Sequence, residues 1–276
     1  MKSKLSGFAV PYVVWMAVFV VIPILIMVVY AFSTEDFHAT LENYASMGDY
    51  LSVFTRSFYL AVLATLACLL IGYPVAYVMA KEGPAFQRLA MALIMLPMWM
   101  NFLLRTYSWM SILENNGLIN QLLRLLGHIG PDAHLQLIGT PGAVVLGMVY
   151  NYLPFMILPI YSVIVKLDGS LLEAARDLGA GSAAVFRRVI FPLSLPGILS
   201  GVTMVFVPSV STFAISRLLG GGTQMMLGDL IEQQFLGGAY NPHLGAAIAM
   251  VMMVIVVVCM AVMNAFGEGE EQAVML

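Results

Sequence analysis

The feature that most constrains the fold is a series of long, almost uncharged apolar segments separated by more polar stretches. A helix needs about 20 mostly apolar residues to cross the hydrocarbon core of a bilayer. Six segments meet this requirement and are predicted to span a membrane: 8–32, 57–80, 89–112, 141–165, 196–216 and 244–266. They are continuously apolar, whereas a barrel strand would alternate over about 10 residues, so helices are predicted.

The composition agrees with a membrane protein. The chain is 61% hydrophobic and 10% charged, whereas a soluble domain is typically about 25% charged. So few charges cannot cover a water-facing surface, and we predict an all-α integral membrane protein with one transmembrane domain over residues 1–276. A net charge of -3 gives no reason to expect a nucleic acid as partner. Cys68 and Cys259 lie in apolar segments and are interpreted as small core residues.

Lys and Arg residues are unevenly distributed between the two sides of the six predicted helices. With the N-terminus in the cytoplasm, the cytoplasmic segments carry Lys2, Lys4, Lys81, Arg88, Lys166, Arg176, Arg187 and Arg188. The opposite side carries Arg56, Arg105, Arg124 and Arg217. Because cytoplasmic loops are enriched in Lys and Arg, we predict that both termini are cytoplasmic.

The loop between the fourth and fifth predicted helices, residues 168–192, contains helix signals of its own. Ser170, with Glu173 three residues later, predicts a capping box at the start of a short helix. Gly179 suits the position just past the end of that helix. A second short helix is predicted to begin at Ser182. The loop is therefore expected to be a rigid helical corner.

Apolar residues recur through the first short helix with helical spacing. Leu171, Ala175 and Leu178 share one apolar face, and the charged residues of the helix lie away from its centre. Small residues dominate the segments around this helix and would let the backbone of another protein approach closely. The corner is therefore predicted to dock a cytoplasmic partner.

This corner resembles the EAA loop of bacterial ABC importer permeases. The family pattern is E-A-A, three residues, G, nine residues and I-x-L-P. The matching residues are Glu173-Ala174-Ala175, Gly179 and Val189-Ile190-Phe191-Pro192, with Val for Ile and Phe for Leu as the departures. The position between the fourth and fifth of six helices also agrees with the family.

The resemblance implies a type I importer permease with six transmembrane helices and a cytoplasmic coupling loop. It implies a second homologous permease subunit and a cytoplasmic ATPase dimer that docks on the EAA loops. The residues assigned to ATPase coupling are Glu173, Ala174, Ala175, Arg176, Asp177, Gly179, Phe186 and Arg187. Taken singly, Glu173 can also be explained as a helix cap, and Arg187 as a membrane anchor.

The same resemblance implies that ATP and Mg²⁺ are bound by the partner ATPase, so this chain is not expected to be an enzyme. No cofactor or metal is expected on the chain itself. The sequence agrees, because it contains no G-x-x-x-x-G-K-[ST] phosphate loop. The implied location is the bacterial plasma (inner) membrane, with lipid around the helices.

Further segments resemble the first permease subunit of spermidine/putrescine importers. They are CLLIGYPVAYVMAK (68–81), LPMWMNFLLRTYSW (96–109), YNYLPFMILPIY (150–161), LEAARDLGA (172–180), RLLGGG (217–222) and MLGDLIEQQF (226–235). The resemblance implies polyamine import with an extracytoplasmic polyamine-binding protein as a further partner. Permeases for iron, sulfate or molybdate share the EAA loop, so import of another small solute is the alternative.

A path for a polyamine requires carboxylates, carbonyl groups or aromatic faces. The candidate path residues are Trp99, Asn101, Tyr107, Tyr150, Tyr152, Asp229 and Glu232. The aromatic residues can equally belong to a membrane-interface belt, and the two acids can form the solvated face of an amphipathic outer helix. Arg105 is expected to snorkel outward or to pair with an acid such as Glu114 or one on a partner.

An intramembrane enzyme is the alternative from a different functional class. Such an enzyme would need a buried catalytic set, yet all four histidines fall in predicted outer loops: His38, His128, His134 and His243. A membrane scaffold without a transport role is a further alternative. Prolines inside five predicted helices favour a protein that moves.

Overall fold

The computed structural model describes residues 6–130 and 132–274, with side chains described for residues 10–130 and 132–263. The α-helices are α1 Ser6–Met16, α2 Ile22–Ala31, α3 Glu42–Ser46, α4 Leu51–Lys81, α5 Pro84–Met95, α6 Phe102–Leu113, α7 Leu118–Leu125, α8 Pro141–Ile164, α9 Gly169–Asp177, α10 Ser182–Val185, α11 Phe191–Ser211, α12 Ala214–Leu219, α13 Leu227–Leu236 and α14 Pro242–Val274. These ranges contain one isolated β-bridge and no longer strand. Lys2 and Lys4 lie outside the described residues.

Within the described ranges, 5 helical segments are long and apolar enough to cross a membrane. They are Val10–Ala31, Glu42–Lys81, Pro141–Ile164, Ser182–Ser211 and Pro242–Met263. A sixth is obtained if the bent pair Pro84–Trp99 and Phe102–Leu125 is one span. The predicted all-α membrane class is therefore confirmed.

The third predicted span is not a straight helix over residues 89–112. The helix axis turns by 90° between Pro84–Trp99 and Phe102–Leu125. Pro97 lies in a 3₁₀ turn at the end of the first part. Asn101 then starts α6, because its side-chain oxygen accepts hydrogen bonds from the backbone N–H groups of Leu103 and Leu104 at 2.8 and 3.3 Å. The Asn101 cap thus starts a new helix inside an apolar run.

The fifth span also differs from its predicted limits of 196–216. Its helix begins at Ser182 and continues to Ser211, where Thr212 turns to an extended conformation (ψ 141°). A π-helical turn, Phe186–Ile190, ends two residues before Pro192. Because proline removes one backbone donor and crowds the preceding turn, this wider turn lets the helix continue through it.

Residue contacts divide the chain into two compact units, residues 1–54 with 230–257, and residues 55–229 with 258–276. In the first unit Ala31, Ala246 and Ala247 form a small buried cluster. In the second unit one cluster includes Met156, Ile160 and Val205, and a second includes Met148 and Ile215. Each unit joins segments that are distant in sequence.

Two glycines on α11 allow it to pack closely against α8 in the second unit. A Cβ atom on Gly197 would lie 2.9 Å from the backbone oxygen of Pro159. A Cβ on Gly201 would lie 2.8 Å from the sulfur of Met156. Small residues at helix contacts are typical of membrane proteins, because they bring two backbones within van der Waals reach.

Candidate coupling surface and path residues

The first helix of the corner, α9, is capped two residues earlier than the sequence predicted. The N-cap of α9 is Asp168, whose carboxylate accepts a hydrogen bond from the backbone N–H of Ser170 at 2.9 Å. Ser170 is therefore inside the helix, and the predicted Ser170–Glu173 capping box is wrong. The physical reason is that a carboxylate two residues upstream already satisfies this N–H group.

The hydrogen bonds from Ser170 hold the pKa of the Asp168 carboxyl below its usual range. A lowered pKa in the folded state means that the ionised cap stabilises α9 above the ordinary Asp pKa of about 3.9. This contribution is lost as the pH falls through the lowered folded-state value.

Replacing Asp168 with Ala is therefore expected to fray α9. Amide hydrogen exchange in residues 169–177 should accelerate by roughly two- to tenfold at neutral pH. Asp168→Asn is the matched control, because Asn also caps helices, and its protection should not depend on acidic pH. Unchanged exchange in Asp168→Ala would contradict the capping role.

The end of α9 is a left-handed turn at Gly179, as predicted. Gly179 has φ +83°, a conformation that favours glycine. The N–H of Gly179 donates to the carbonyl of Arg176 at 2.8 Å, and the N–H of Ala180 donates to the carbonyl of Ala175 at 3.1 Å. This pair of bonds is the Schellman motif. It fixes the direction in which the chain leaves α9.

Of the three residues on the predicted apolar face of α9, only Ala175 packs against the buried cluster of the second unit, and Leu172 packs beside it. Leu171 is 49% exposed and Leu178 is 90% exposed. The helix has apolar residues on two faces, so spacing alone could not decide which one is buried. Leu178 is thus an exposed apolar side chain that sequence reasoning missed.

Most residues assigned to coupling are exposed on this corner. The exposed members are Glu173, Ala174, Arg176, Asp177, Gly179 and Arg187. Ala175 and Phe186 are partly buried. The Phe186 ring meets the rings of Tyr73 and Tyr77 edge-to-face, with centroids at 5.8 and 5.3 Å. Phe186 therefore fastens the corner to α4 and does not belong to the exposed surface.

The candidate path residues are distributed over several elements. Trp99 ends the 3₁₀ turn after α5 and is 84% exposed, and Tyr107 on α6 is 47% exposed. Asn101 uses its side-chain oxygen to cap α6. Tyr150 packs against Trp109 with centroids 5.5 Å apart. These four side chains therefore differ in how much surface they could offer to a cargo.

The remaining candidates lie on α8 and α13. The hydroxyl of Tyr152 donates to the backbone oxygen of Pro208 at 3.5 Å, which links α8 to α11. Asp229 is 6% exposed, and its Oδ2 accepts a hydrogen bond from the N–H of Met226 at 2.9 Å. Asp229 therefore does not lie on a solvated face. Glu232, three residues later on α13, is half-buried.

Arg105 does not snorkel outward. The side chain is 9% exposed, and its Nε and Nη1 atoms have no hydrogen-bond partner in the described parts of the chain. Glu114 is exposed at the C-terminal end of α6 and does not pair with it. The apolar segment 89–112 could not predict that Arg105 is buried, because this burial depends on packing against residues distant in sequence.

Together, the fold and this corner define a class: a multi-pass helical membrane protein with a rigid, exposed helical corner between two spans. The model of the family described as "binding-protein-dependent transport system inner membrane component" matches residues 72–268. The chain belongs to this family. It is thus a multi-pass protein of the bacterial inner membrane and a transport subunit, not an enzyme.

Curated relatives extend the similarity over most of the chain. The spermidine/putrescine transport system permease protein PotB of Escherichia coli (strain K12) is 39% identical over 249 residues, which are 87% of this chain and 90% of the relative. PotB of Haemophilus influenzae is 41% identical over 230 residues, or 80% of each chain. The E. coli inner membrane ABC transporter permease protein YdcU is 30% identical over 78% of this chain and 71% of its own length.

Solved structures share the fold. A chain of a bacterial ABC transporter involved in the import of the acidic polysaccharide alginate has a TM-score of 0.81 at 15% identity, covering 96% of this chain and 94% of its own. A chain of the MetNI methionine ABC transporter has a TM-score of 0.56 at 18% identity, covering 81% and 95%. These likenesses show the fold of an ABC importer permease.

Proposed function

We propose that this chain is a permease subunit of an ATP-driven importer for spermidine and putrescine. The observation that carries the proposal is the identity of 39% and 41% to PotB proteins over at least 80% of both chains. The chain would form half of the translocation pathway, and a second homologous permease subunit would form the other half. An extracytoplasmic polyamine-binding protein would deliver the cargo.

In this proposal the corner over residues 168–192 is cytoplasmic, as are both termini, and the corner docks on one subunit of an ATPase dimer. Leu178, which is 90% exposed, would enter an apolar groove of that subunit. Burying a leucine contributes about 1.5–3 kcal/mol. Glu173, Arg176 and Asp177 would surround the contact, where rim charges set orientation and association rate more than affinity.

The helices next to the corner support a mechanical role. The helix from Ser182 runs on to Ser211 without interruption, so a displacement at its start would pass into the spanning part. Phe186 holds the same segment to Tyr73 and Tyr77 on α4. Closure of the ATPase dimer around ATP and Mg²⁺ would therefore move α4 and α11 together. The chain itself would bind neither ATP nor Mg²⁺.

Aromatic faces would guide the polyamine through the path. Trp99 and Tyr107 offer exposed rings, and a cation over such a ring gains about 0.5–2 kcal/mol. A series of weak contacts of this size holds a polycation without trapping it.

Uptake in cells tests the choice of cargo. A bacterial strain that lacks polyamine uptake, supplied with this chain and its partner subunits, is expected to accumulate radiolabelled spermidine. Excess unlabelled putrescine should compete, whereas sulfate and molybdate should not. The control strain carries the partners without this chain. Absence of spermidine uptake from a correctly assembled complex would contradict the polyamine assignment.

A further inference from the structure

The helix that leaves the corner is continuous, but its first turns are weak. They contain a π-helical turn, in which the N–H of Phe191 donates to the carbonyl of Phe186, five residues earlier. Pro192 and Pro196 follow within the next two turns. Neither has an N–H group, so each removes one backbone hydrogen bond from the helix. Residues 186–196, called the weak segment below, are therefore the part of this helix that bends most easily.

Tyr73 on α4 contacts the weak segment both at its start and beyond the π-helical turn. Its ring meets the ring of Phe186 edge-to-face with centroids 5.8 Å apart, and the ring of Phe191 with centroids 5.9 Å apart. Its hydroxyl lies 3.0 Å from the hydroxyl of Ser194. Phe186 is the first residue of the π-helical turn, whereas Phe191 and Ser194 follow it. One side chain of α4 thus bridges this turn.

The hydrogen bond between the two hydroxyl groups has a defined direction. Ser194 donates its own hydrogen to the carbonyl of Phe191 at 2.8 Å. Because a serine hydroxyl has one hydrogen, Ser194 accepts from Tyr73, and Tyr73 is the donor. Ser194 is 0% exposed and Tyr73 is 9% exposed. Removal of either partner would leave a buried hydroxyl with one hydrogen bond fewer, which is unfavourable.

Two further residues of α4 contact the start of the weak segment. Tyr77 and Lys81 follow Tyr73 at intervals of four residues, so the three side chains share one face of α4. The ring of Tyr77 meets that of Phe186 edge-to-face with centroids 5.3 Å apart. The Nζ atom of Lys81 lies 4.1 Å from the centre of the Tyr77 ring, which is a cation–π contact. This face of α4 therefore holds Phe186 in place, and Tyr73 extends the contact past the π-helical turn.

A displacement of the corner has two possible results. It can bend the weak segment, or it can move the rest of α11, residues 197–211. Contacts that bridge the weak segment oppose the first result and favour the second. We propose that Tyr73 is a positioning residue that stiffens the weak segment, so that a displacement of the corner reaches residues 197–211. The inference rests on the proposed docking of the ATPase on the corner.

The amount of spermidine transported per ATP hydrolysed tests this role in proteoliposomes with the complete importer. Tyr73→Phe keeps the ring and loses the hydrogen bond to Ser194. It should lower this ratio by roughly three- to tenfold, while ATP hydrolysis stays within about twofold of wild type, because the ATPase still closes. Ser194→Ala should lower the ratio similarly. The double variant should show no further decrease, because both changes remove the same bond.

Tyr59→Phe is the matched control, because Tyr59 is on the same helix and is 61% exposed. Its ratio should equal that of wild type. A general loss of stability would lower uptake and ATP hydrolysis together and leave the ratio unchanged. An unchanged ratio in Tyr73→Phe would therefore overturn the inference, as would additive decreases in the double variant.

Amide hydrogen exchange tests the same inference without a cargo. When a non-hydrolysable ATP analogue binds the assembled wild-type complex, exchange should change in the corner and in residues 197–211. In Tyr73→Phe the change should be confined to the corner and the weak segment. The same distribution of changes in both proteins, or no change over 197–211 in wild type, would overturn the inference. A wild-type complex that hydrolyses ATP without transporting spermidine would instead count against the polyamine assignment, and the exchange data would still test the role of Tyr73.

Discussion

Replacing Leu178 with Glu is expected to abolish ATP-driven uptake while leaving the chain correctly inserted in the membrane. Leu178 is 90% exposed at the end of α9, so the substitution disturbs no contact within the described chain. In the ATPase groove, however, the variant loses the burial of an apolar side chain and introduces an unpaired charge. We expect uptake to fall by roughly a hundredfold, which corresponds to about 2.7 kcal/mol of docking free energy.

The measurement is uptake together with co-purification of the ATPase. Leu178→Met is the matched control, because it keeps an apolar side chain of similar volume, and such swaps usually cost less than about 1.5 kcal/mol. The Glu variant should lose the ATPase during purification, whereas the Met variant should retain it. Full association and uptake in Leu178→Glu would show that the corner is not the docking surface.

The second large effect is expected on stability, at the contact between α8 and α11. A Cβ atom on Gly197 would lie 2.9 Å from the backbone oxygen of Pro159 and 3.1 Å from the Cα of Ile160. Backbone atoms cannot rotate away as a side chain can, so Gly197→Leu must push the two helices apart. Overpacking of this kind typically costs about 1–3 kcal/mol and occasionally more.

The unfolding temperature of the purified chain in detergent measures this effect. Gly197→Leu should lower it by several degrees or prevent purification of a monodisperse protein. Gly197→Ala should give a smaller decrease in the same direction, which keeps the test informative if the Leu variant does not fold. Gly48→Leu is the control, because a Cβ at Gly48 has no atom within 4 Å. Equal stability of all three variants would contradict the close contact.

Long apolar runs predicted the helical membrane class, because the bilayer imposes a minimum length on every spanning helix. The same runs could not reveal the 90° bend before Phe102. That bend depends on Pro97 and on the Asn101 cap, and both occur inside a segment that reads as uniformly apolar. A run of hydrophobic residues indicates that a segment lies in lipid, but it does not indicate where the helix axis bends.

The corner was predicted in part. Gly179 identified the end of α9, because a left-handed turn strongly favours glycine. The cap was misplaced by two residues, since Asp168 and Ser170 are both good N-cap residues. The outward position of Leu178 could not be predicted, because the helix carries apolar residues on more than one face. The burial of Arg105 and Asp229 likewise depends on packing between segments distant in sequence.

The most direct test of the account is spermidine accumulation in proteoliposomes that contain this chain, its second permease subunit and the ATPase dimer, with the binding protein on the opposite side of the membrane. The account predicts accumulation of radiolabelled spermidine against its concentration gradient when ATP and Mg²⁺ are present on the ATPase side. It predicts no accumulation with a non-hydrolysable ATP analogue. A fully assembled complex that hydrolyses ATP but does not accumulate spermidine would contradict it.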